Sequence, residues 1–262
     1  MKIQLILIVI FFFSCNKRNE INEYYPNGEL KMKSIFDESD IKRRKVILYY
    51  KNGNLKVDAQ LLNNKKDDSL ISYFENGTIR EKAFYKNDFP VGWTETYYKN
   101  GGLKEKNEFI IRNDSFYLNQ KIAFKKSGLI DTLKSSFFEI MLPDTLKIGR
   151  NIGLLKKYIP FLKGSNNLEI KIFVENEYDD GEIKIDSFSG NISNPWFGIY
   201  SKKTGNQSIK IKILEQYFNI TKDKKDSLEM VETRSEKHFT TNIVVTEVGS
   251  VKRDSIHDLI FK

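Results

Sequence analysis

Apolar and polar residues alternate along much of residues 23–130, and a recurring block interrupts the alternation. The block consists of two aromatic residues, one free position and Asn-Gly, and it ends at Gly28, Gly53, Gly77 and Gly101. An aliphatic residue stands two places after each of these glycines. A period of two predicts strands with one apolar face, and Asn-Gly favours a type I′ hairpin turn. Each block therefore predicts a strand, a tight turn, a second strand and a longer polar turn.

The blocks recur at a nearly fixed interval, which is typical of a repeat region. Their glycines are 25, 24 and 24 residues apart, and a fifth, degenerate copy ends at Gly128 with Ser127 in place of asparagine. A degenerate terminal copy is typical of a cap. Glu81 and Glu105 replace apolar residues at one position of the third and fourth copies. Either that part of the face is hydrated, or the carboxylates pair with basic residues on a neighbouring strand.

The four aromatic-x-Asn-Gly-x-aliphatic blocks, with Gly92-Trp93 at the start of a strand, resemble the MORN-repeat variant of bacterial proteins with YwqK-type antitoxin-like repeats. The resemblance covers roughly residues 23–130. It implies an elongated single-layer sheet made of successive β-hairpins. The family label also implies an alternative function, in which the repeat array neutralises a toxin.

Residues 131–262 lack the Asn-Gly block but contain further segments rich in β-branched and aromatic residues. The predicted strands cover residues 137–142, 168–174, 182–185, 196–200, 209–214 and 238–248. Several short strands separated by turn signals predict a β-sandwich with an immunoglobulin-like architecture. Residues 153–164 leave two interpretations, a loop or one helical turn. The predicted fold class is all-β, with an elongated single-layer sheet of hairpin repeats followed by the sandwich domain.

The first residues have the features of a secretory signal. Lys2 is followed by an apolar run of about 11 residues that ends at Ser14-Cys15, and Cys15 is the only cysteine of the protein. Such a run is too short for a spanning helix. It resembles the lipobox of bacterial lipoproteins, with Phe12 in place of the usual leucine, and so implies a lipidated Cys15. The predicted domains are residues 1–14, the signal; 15–22, the lipidated cysteine and tether; 23–130, the repeats; and 131–262, the sandwich.

The residues after the cysteine bear on localisation. They are Asn-Lys-Arg-Asn-Glu, whereas acidic residues follow the cysteine in surface lipoproteins of Bacteroidota. The resemblance therefore implies a lipid-anchored protein of the cell envelope, in the outer membrane and facing the periplasm, with surface exposure as the alternative. The net charge is +8, but an exported protein is a poor partner for nucleic acid. The basic cluster at residues 42–45 is either a solvated face or a contact for acidic lipid or glycan.

Two aromatic stripes follow from the blocks, one on each face of the predicted sheet. The second stripe, which is the candidate binding face for a protein or glycan partner, consists of Tyr25, Tyr50, Phe74 and Tyr98. Cross-strand packing of aromatic residues is the alternative interpretation of both stripes.

A second recurring motif is Asp-Ser/Thr-aliphatic, which resembles the O-glycosylation motif of exported Bacteroidota proteins. Its candidate acceptor residues are Ser69, Thr132, Thr145, Ser227 and Ser255. Ordinary turn chemistry, in which Asp and Ser begin a turn before a strand, is the alternative.

Residues that would indicate catalysis are scarce. The two histidines, His238 and His257, are too few for a zinc site of at least three ligands, and no nucleophile elbow or phosphate loop occurs. We therefore expect no cofactor, no metal and no enzymatic activity. The predicted function is a non-enzymatic binding or scaffolding module of the envelope, with the antitoxin or immunity role as the alternative. A glycan hydrolase is a third hypothesis, and it would require a carboxylate pair in a concave pocket.

Overall fold

The computed structural model describes residues 19–112, 115–163, 167–178, 181–190, 196–222 and 228–247. Cys15, Ser227, Ser255 and His257 lie outside these ranges. Seventeen β-strands, and no helix, occur within them. The prediction of an all-β fold, with a sheet of hairpin repeats and a sandwich-like arrangement, is confirmed.

The chain divides into two compact units, Met1–Phe89 and Pro90–Lys262, and each is described by itself. The division falls inside the predicted repeat region. The boundary proposed from sequence at residue 130 stays a prediction.

The first unit is a sheet in which each strand pairs antiparallel with the next one along the chain. Its strands are β1 (Glu20–Tyr24), β2 (Leu30–Phe36), β3 (Arg43–Tyr49), β4 (Leu55–Leu62), β5 (Lys65–Tyr73) and β6 (Ile79–Lys86). Small residues occupy the buried positions, namely Ser34, Ala59, Ser72 and Ala83. Neighbouring side chains can cover such short side chains within one layer, whereas larger residues stay half-exposed.

The Asn-Gly turns have a geometry that differs from the predicted type I′ turn. Gly53 has a φ of 82°, whereas Asn52 is not among the residues with positive φ. The amide of Gly53 donates to the Tyr50 carbonyl at 3.0 Å, and the amide of Tyr50 donates to the Asn54 carbonyl at 2.8 Å. This pattern is a type I turn with a glycine bulge. Asn52 contributes to the turn through its side chain, whose Oδ1 accepts a hydrogen bond from the amide of Asn54 at 3.0 Å.

The two-residue turns with positive φ at both positions lie at the opposite ends of the strands. Asn63 and Asn64 have φ values of 52° and 64°, and Asn87 and Asp88 have 51° and 70°. The tight two-residue turns therefore lie where the longer polar turns were predicted, and the Asn-Gly blocks form the longer turns. The sequence signal marked the right places for turns, but it did not distinguish positive φ from side-chain hydrogen bonding.

The second unit begins with three sequential antiparallel strands and continues into two further sheets. Its strands are β7 (Phe89–Tyr97), β8 (Leu103–Arg112), β9 (Ser115–Ala123), β10 (Phe137–Met141), β11 (Thr145–Lys147), β12 (Gly149–Ile159), β13 (Glu169–Glu177), β14 (Ile183–Gly190), β15 (Trp196–Ser201), β16 (Gly205–Lys222) and β17 (Leu228–Thr246). The fifth copy folds as the same turn, with a φ of 84° at Gly128, but only an isolated bridge joins Phe124 to Ile130. The paired strands of this region therefore end where the degenerate copy begins, as expected of a cap.

The sandwich consists of a three-stranded sheet in the order β10-β12-β15 and a five-stranded sheet in the order β11-β17-β16-β13-β14. One buried cluster contains residues from both sheets, among them Phe138, Leu155, Phe197, Ile172 and Ile213. Alternating aliphatic positions of β13 and β16 supply much of this cluster, as the period of two requires.

Strand β12 replaces both interpretations for residues 153–159, because its eleven residues run from Gly149 to Ile159, whereas the loop interpretation holds for residues 160–163. In the sequence, Gly153 argues against a strand, since a glycine usually weakens one. Here a β-carbon at Gly153 would stand 2.2 Å from the Phe197 ring. Glycine is therefore required by close packing between paired strands. Strands β16 and β17 are also longer than predicted, at 18 and 19 residues.

Candidate functional site

The aromatic residues of the candidate binding face have an internal hydrogen-bonding role. All four side chains are half-buried. The three tyrosine hydroxyls each donate to a backbone carbonyl of the next repeat, Tyr25 to Tyr49 at 2.7 Å, Tyr50 to Tyr73 at 2.8 Å and Tyr98 to Phe124 at 2.9 Å. These bonds tie successive repeats together at fixed register. The geometry supports the packing interpretation, and a binding role for this face stays a prediction.

The candidate glycosylation residues that the structure describes differ in accessibility. Thr132 is exposed, whereas Ser69 in β5 and Thr145 in β11 are half-buried. Ser69 follows Asp68, whose φ of 78° marks an irregularity in the pairing of β4 with β5. Of the three residues, Thr132 is therefore the most accessible to a transferase, and modification stays a prediction.

Two of the charged positions singled out in the repeats, Glu105 and Lys45, form ion pairs with neighbouring strands. Glu105 lies 2.9 Å from the Lys121 ammonium on β9, and the Asn107 amide donates to Glu105 at 2.6 Å. Burial tends to raise the pKa of Glu105, but these two partners outweigh it and lower the pKa. In the basic cluster, Lys45 pairs with Asp58 at 2.9 Å. Pairing with a neighbouring strand is thus the correct alternative for Glu105.

A groove of about 580 Å³ lies within the second unit and is lined by residues of β8, β13, β14, β16 and β17. Its apolar lining includes Ile111, Phe173 and Ile185, of which Ile111 and Ile185 are 43% and 68% exposed. Its charged lining includes Lys210, which pairs with Glu175 at 2.8 Å. The groove therefore combines open apolar surface with the ion pair of Lys210 and Glu175.

One wall of the groove is held in place by a buried amide. Asn119 on β9 is 2% exposed, its Oδ1 accepts the amide of His238 at 2.7 Å, and its Nδ2 donates to the His238 carbonyl at 2.7 Å. Nδ2 also donates to Glu108 at 2.6 Å. These contacts join β9 to β17 and fix the position of β8 along the groove.

An arginine and a histidine form the polar rim of the groove. Nη1 of Arg112 lies 2.6 Å from Nε2 of His238. Since a guanidinium can only donate, Nε2 accepts, and the imidazole is neutral with its proton on Nδ1. Burial, and next the Arg112 cation, lower the pKa of His238, although Glu236 at 3.6 Å acts in the opposite direction. The neutral form of His238 is therefore favoured at the rim.

Strand β14 borders the groove and is the last strand of its sheet. Within the described ranges it pairs with β13 alone, so its outer backbone groups have no neighbouring strand. Ile183 and Ile185 are 64% and 68% exposed on this strand. An edge strand with exposed apolar residues can accept an additional strand.

A second cavity, of about 190 Å³, is built around Lys237 of β17 and shares no lining residue with the groove. The carboxylate of Glu215, which is fully buried, accepts the Tyr158 hydroxyl and the amides of Phe161 at 3.0 Å and Leu162 at 2.8 Å. These bonds fix the segment after β12 that forms part of the cavity wall. Burial, with Glu215 beside it, raises the pKa of Tyr158.

Lys237 is 3% exposed, and its ammonium donates to the Asn119 carbonyl at 3.0 Å. Burial lowers the pKa of Lys237 to about 8, although the carboxylates of Glu215 and Glu108 act in the opposite direction.

Sequence reasoning missed both buried charged residues. Glu215 continues the inward alternation of Ile211 and Ile213, and Lys237 continues that of Phe239. The signal that could have identified them is a charged residue at a position where the alternation places side chains in the core.

The comparisons with known proteins identify one segment of the chain. Residues 70–87 match the MORN repeat variant family. The matched MORN segment contains the third block and extends from β5 through β6. The same turn geometry at Gly28, Gly53 and Gly101 extends the repeat beyond the match. Comparison with curated proteins and with solved structures gave no match.

Two further findings concern the described residues alone. They contain no group of three or more His, Cys, Asp or Glu side chains arranged to hold a metal ion. They also contain no helix that is long and apolar enough to cross a membrane.

Proposed function

We propose that this MORN-repeat protein is a non-enzymatic binding module of the cell envelope, anchored by lipid at Cys15, whose groove holds an extended segment of a partner protein. The observation that carries the proposal is the groove beside the edge strand β14, where Ile185 contributes apolar surface that is 68% exposed.

The chemistry of the groove favours an extended polypeptide as the ligand. The outer edge of β14 offers backbone donors and acceptors, and addition of a strand would satisfy them. Side chains alternate along such a strand, so that every second residue would face Ile183, Ile185 and Phe173. A partner segment with apolar residues at alternate positions fits both requirements.

The sequence supports the anchor and the location. The apolar run that ends at Ser14-Cys15 resembles a lipobox, and two or three acyl chains hold a protein stably on a membrane. The residues after Cys15 favour the periplasmic face of the outer membrane. The repeats and the sandwich would then lie outside the cytoplasm.

The groove is tested by binding of a synthetic extended peptide with alternating valine and threonine, measured by fluorescence anisotropy with the full-length protein. We expect Ile185→Asp to weaken binding by at least about 10-fold, because a charge would be buried against apolar side chains. Ile220→Asp is the matched control, since Ile220 is equally open, at 71% exposed, on β16. Equal binding by the Ile185→Asp variant and the unmodified protein would contradict the role of the groove.

The anchor is tested separately by fractionating cells that produce the Cys15→Ala variant. Loss of the only lipidation residue should release the protein from the membrane fraction into the soluble envelope fraction. A variant that remains with the membranes after a high-salt wash would show that Cys15 is not the anchor, whatever the outcome of the peptide experiment.

A further inference from the structure

We propose that the cavity around Lys237 is a binding site for a small organic carboxylate, held by the ammonium of Lys237 and the hydroxyl of Ser136. This site is independent of the proposed peptide groove, because the two share no lining residue.

The ammonium of Lys237 is buried without an ion pair. Within the described chain its hydrogen bond goes to the Asn119 carbonyl at 3.0 Å, and no carboxylate lies within ion-pair distance of it. Glu215 and Glu108 favour the charged form of Lys237 through space, but neither carboxylate bonds to its ammonium, since Glu215 accepts the amide of Leu162 and Glu108 accepts amides of the Asn119 and Gln120 side chains. A buried charge of this kind is costly unless a counter-charge reaches it. An anion in the cavity would supply that counter-charge.

Ser136 supplies a second, independent indication of a ligand. It is 5% exposed, it lines the cavity, and its Oγ has no hydrogen-bond partner. Its neighbour Ser135 is satisfied, since its Oγ accepts the amide of Ala123 at 2.9 Å and donates to the Asp131 carbonyl at 2.7 Å. Buried hydroxyls without a partner are rare in folded proteins. Ser136 therefore retains a donor for a ligand oxygen.

The remaining polar lining groups are already committed to partners within the protein. The Gln120 side chain accepts the amide of Phe138 at 2.9 Å and donates to Glu108 at 2.8 Å. Lys163 donates to the Thr132 carbonyl at 2.9 Å.

The charge of the cavity fits a monoanion. Lys121 and Lys134 also line the cavity, and they pair with Glu105 at 2.9 Å and Asp131 at 3.7 Å. The ammonium groups of Lys163 and Lys237 are left without an acidic partner in the described chain, and of these two only that of Lys237 is buried, because Lys163 is exposed. A carboxylate carries a single charge and two acceptor oxygens, whereas phosphate at neutral pH carries between one and two charges and has more oxygens to satisfy.

The walls of the cavity favour an aliphatic body on that carboxylate. Leu118, Leu133 and Phe161 contribute apolar surface, and the Phe161 ring lies 5.8 Å from the Lys237 ammonium. A volume of about 190 Å³ suits a short-chain acid rather than a polymer segment that would enter from end to end. The ligand class is accordingly a small carboxylate with a short apolar chain.

The test is isothermal titration of the full-length protein with sodium butyrate, with butyramide as the uncharged analogue and phosphate at matched ionic strength. We expect saturable binding of butyrate, and weaker or no binding of the two other probes. Lys237→Met should weaken butyrate binding by at least about 10-fold, and Ser136→Ala by about 3- to 10-fold. Lys156→Met is the matched control, because Lys156 is an exposed lysine of β12 that does not line the cavity.

The two variants guard against a loss of folding, because methionine keeps the unbranched shape of lysine and Ser136→Ala removes a single atom. The proposal is overturned if the unmodified protein binds no butyrate, if butyramide or phosphate binds as tightly, or if Lys237→Met binds butyrate as well as the Lys156→Met control. None of these results depends on whether the peptide groove or the lipid anchor exists.

Discussion

The two units of the chain bury different kinds of residue. In the described part of the first unit, the buried hydrophobic side chains are two alanines, Ala59 and Ala83, and serines occupy comparable positions. In the second unit, the buried set consists mainly of isoleucine, leucine, valine and phenylalanine. A single layer of hairpins has no opposing sheet, whereas the sandwich encloses its apolar side chains between two sheets.

This difference indicates two sources of stability. The repeats depend on contacts between adjacent strands and on the recurring bonds from tyrosine hydroxyls to carbonyls, so each repeat contributes a small and similar amount. The sandwich depends on a shared core, so one residue affects many others. Only the sandwich can also bury charged groups such as Glu215 and Lys237, which are the candidates for specific chemistry.

The largest expected effect comes from truncating the sandwich core. Ile172 is 1% exposed, and Ile172→Ala should lower the free energy of unfolding by about 4 kcal/mol through lost burial and a residual cavity. Urea denaturation followed by tryptophan fluorescence reports on the second unit, because both tryptophans belong to it, Trp196 in the sandwich and Trp93 in β7. Ile47→Ala in β3 is the control. It should lower the free energy of unfolding by about 1 kcal/mol, measured by circular dichroism, because Ile47 is half-exposed. Equal costs would remove the distinction between the units.

The second-largest expected effect is an increase in the free energy of unfolding, and its size depends on pH. Burial lowers the pKa of Lys237 from 10.5 to about 8, so the charged form destabilises the native state. The penalty is fully present below about pH 8 and fades as pH rises toward the unfolded pKa. Lys237→Met should therefore raise the free energy of unfolding by about 3 kcal/mol at neutral pH and by much less above pH 10.5. Urea denaturation of the variant and the unmodified protein across this pH range measures the gain in stability. A gain that does not change with pH would contradict the prediction.

A smaller effect tests the bonds between repeats. Tyr50→Phe removes the donor to the Tyr73 carbonyl and should cost about 1 kcal/mol. Tyr49→Phe is the matched control, because the hydroxyl of Tyr49 makes no hydrogen bond among the described contacts. Circular dichroism during urea denaturation measures both variants. If the two variants cost the same, the hydroxyl-to-carbonyl bonds do not stabilise the repeats.

The smallest effect separates the two kinds of turn. Asn64→Gly should raise the free energy of unfolding by about 0.5 kcal/mol, because Asn64 has a φ of 64° that glycine adopts without strain. Asn52→Gly should instead lower it by a similar, roughly 0.5 kcal/mol amount, because the Asn52 side chain accepts the amide of Asn54. Thermal denaturation of the two variants shows whether each substitution raises or lowers stability. A gain from Asn52→Gly would show that the turn geometry has been assigned incorrectly.

The hairpin repeats could be predicted from the sequence because their signals are local. The glycines at Gly28, Gly53, Gly77 and Gly101 all have positive φ, as a turn signal requires. The turn type was wrong because the asparagine of each block acts through its side chain, and sequence spacing does not separate that role from a positive φ. The hydroxyl bond of Tyr50 was likewise not predicted, since it joins residues 23 positions apart.

The sandwich was predicted in outline, but its sites were not. Gly153 concealed β12, because the requirement for glycine arises from the Phe197 ring on a strand far along the chain. The cavity joins Lys237 to Ser136, which are 101 residues apart in sequence, and no local pattern connects them. The inward alternation of β16 and β17 could have identified Glu215 and Lys237 as buried charges, but not their partners.

Amide hydrogen exchange of the full-length protein, read by mass spectrometry, tests the contrast between the units most directly. We predict that β13 and β16 exchange most slowly, since they lie within the shared core and open only with the sandwich. Strands β2 to β5 should exchange faster and in graded fashion, because each is held by its neighbours alone. Protection of β2 to β5 as strong as that of β13 and β16 would contradict the account.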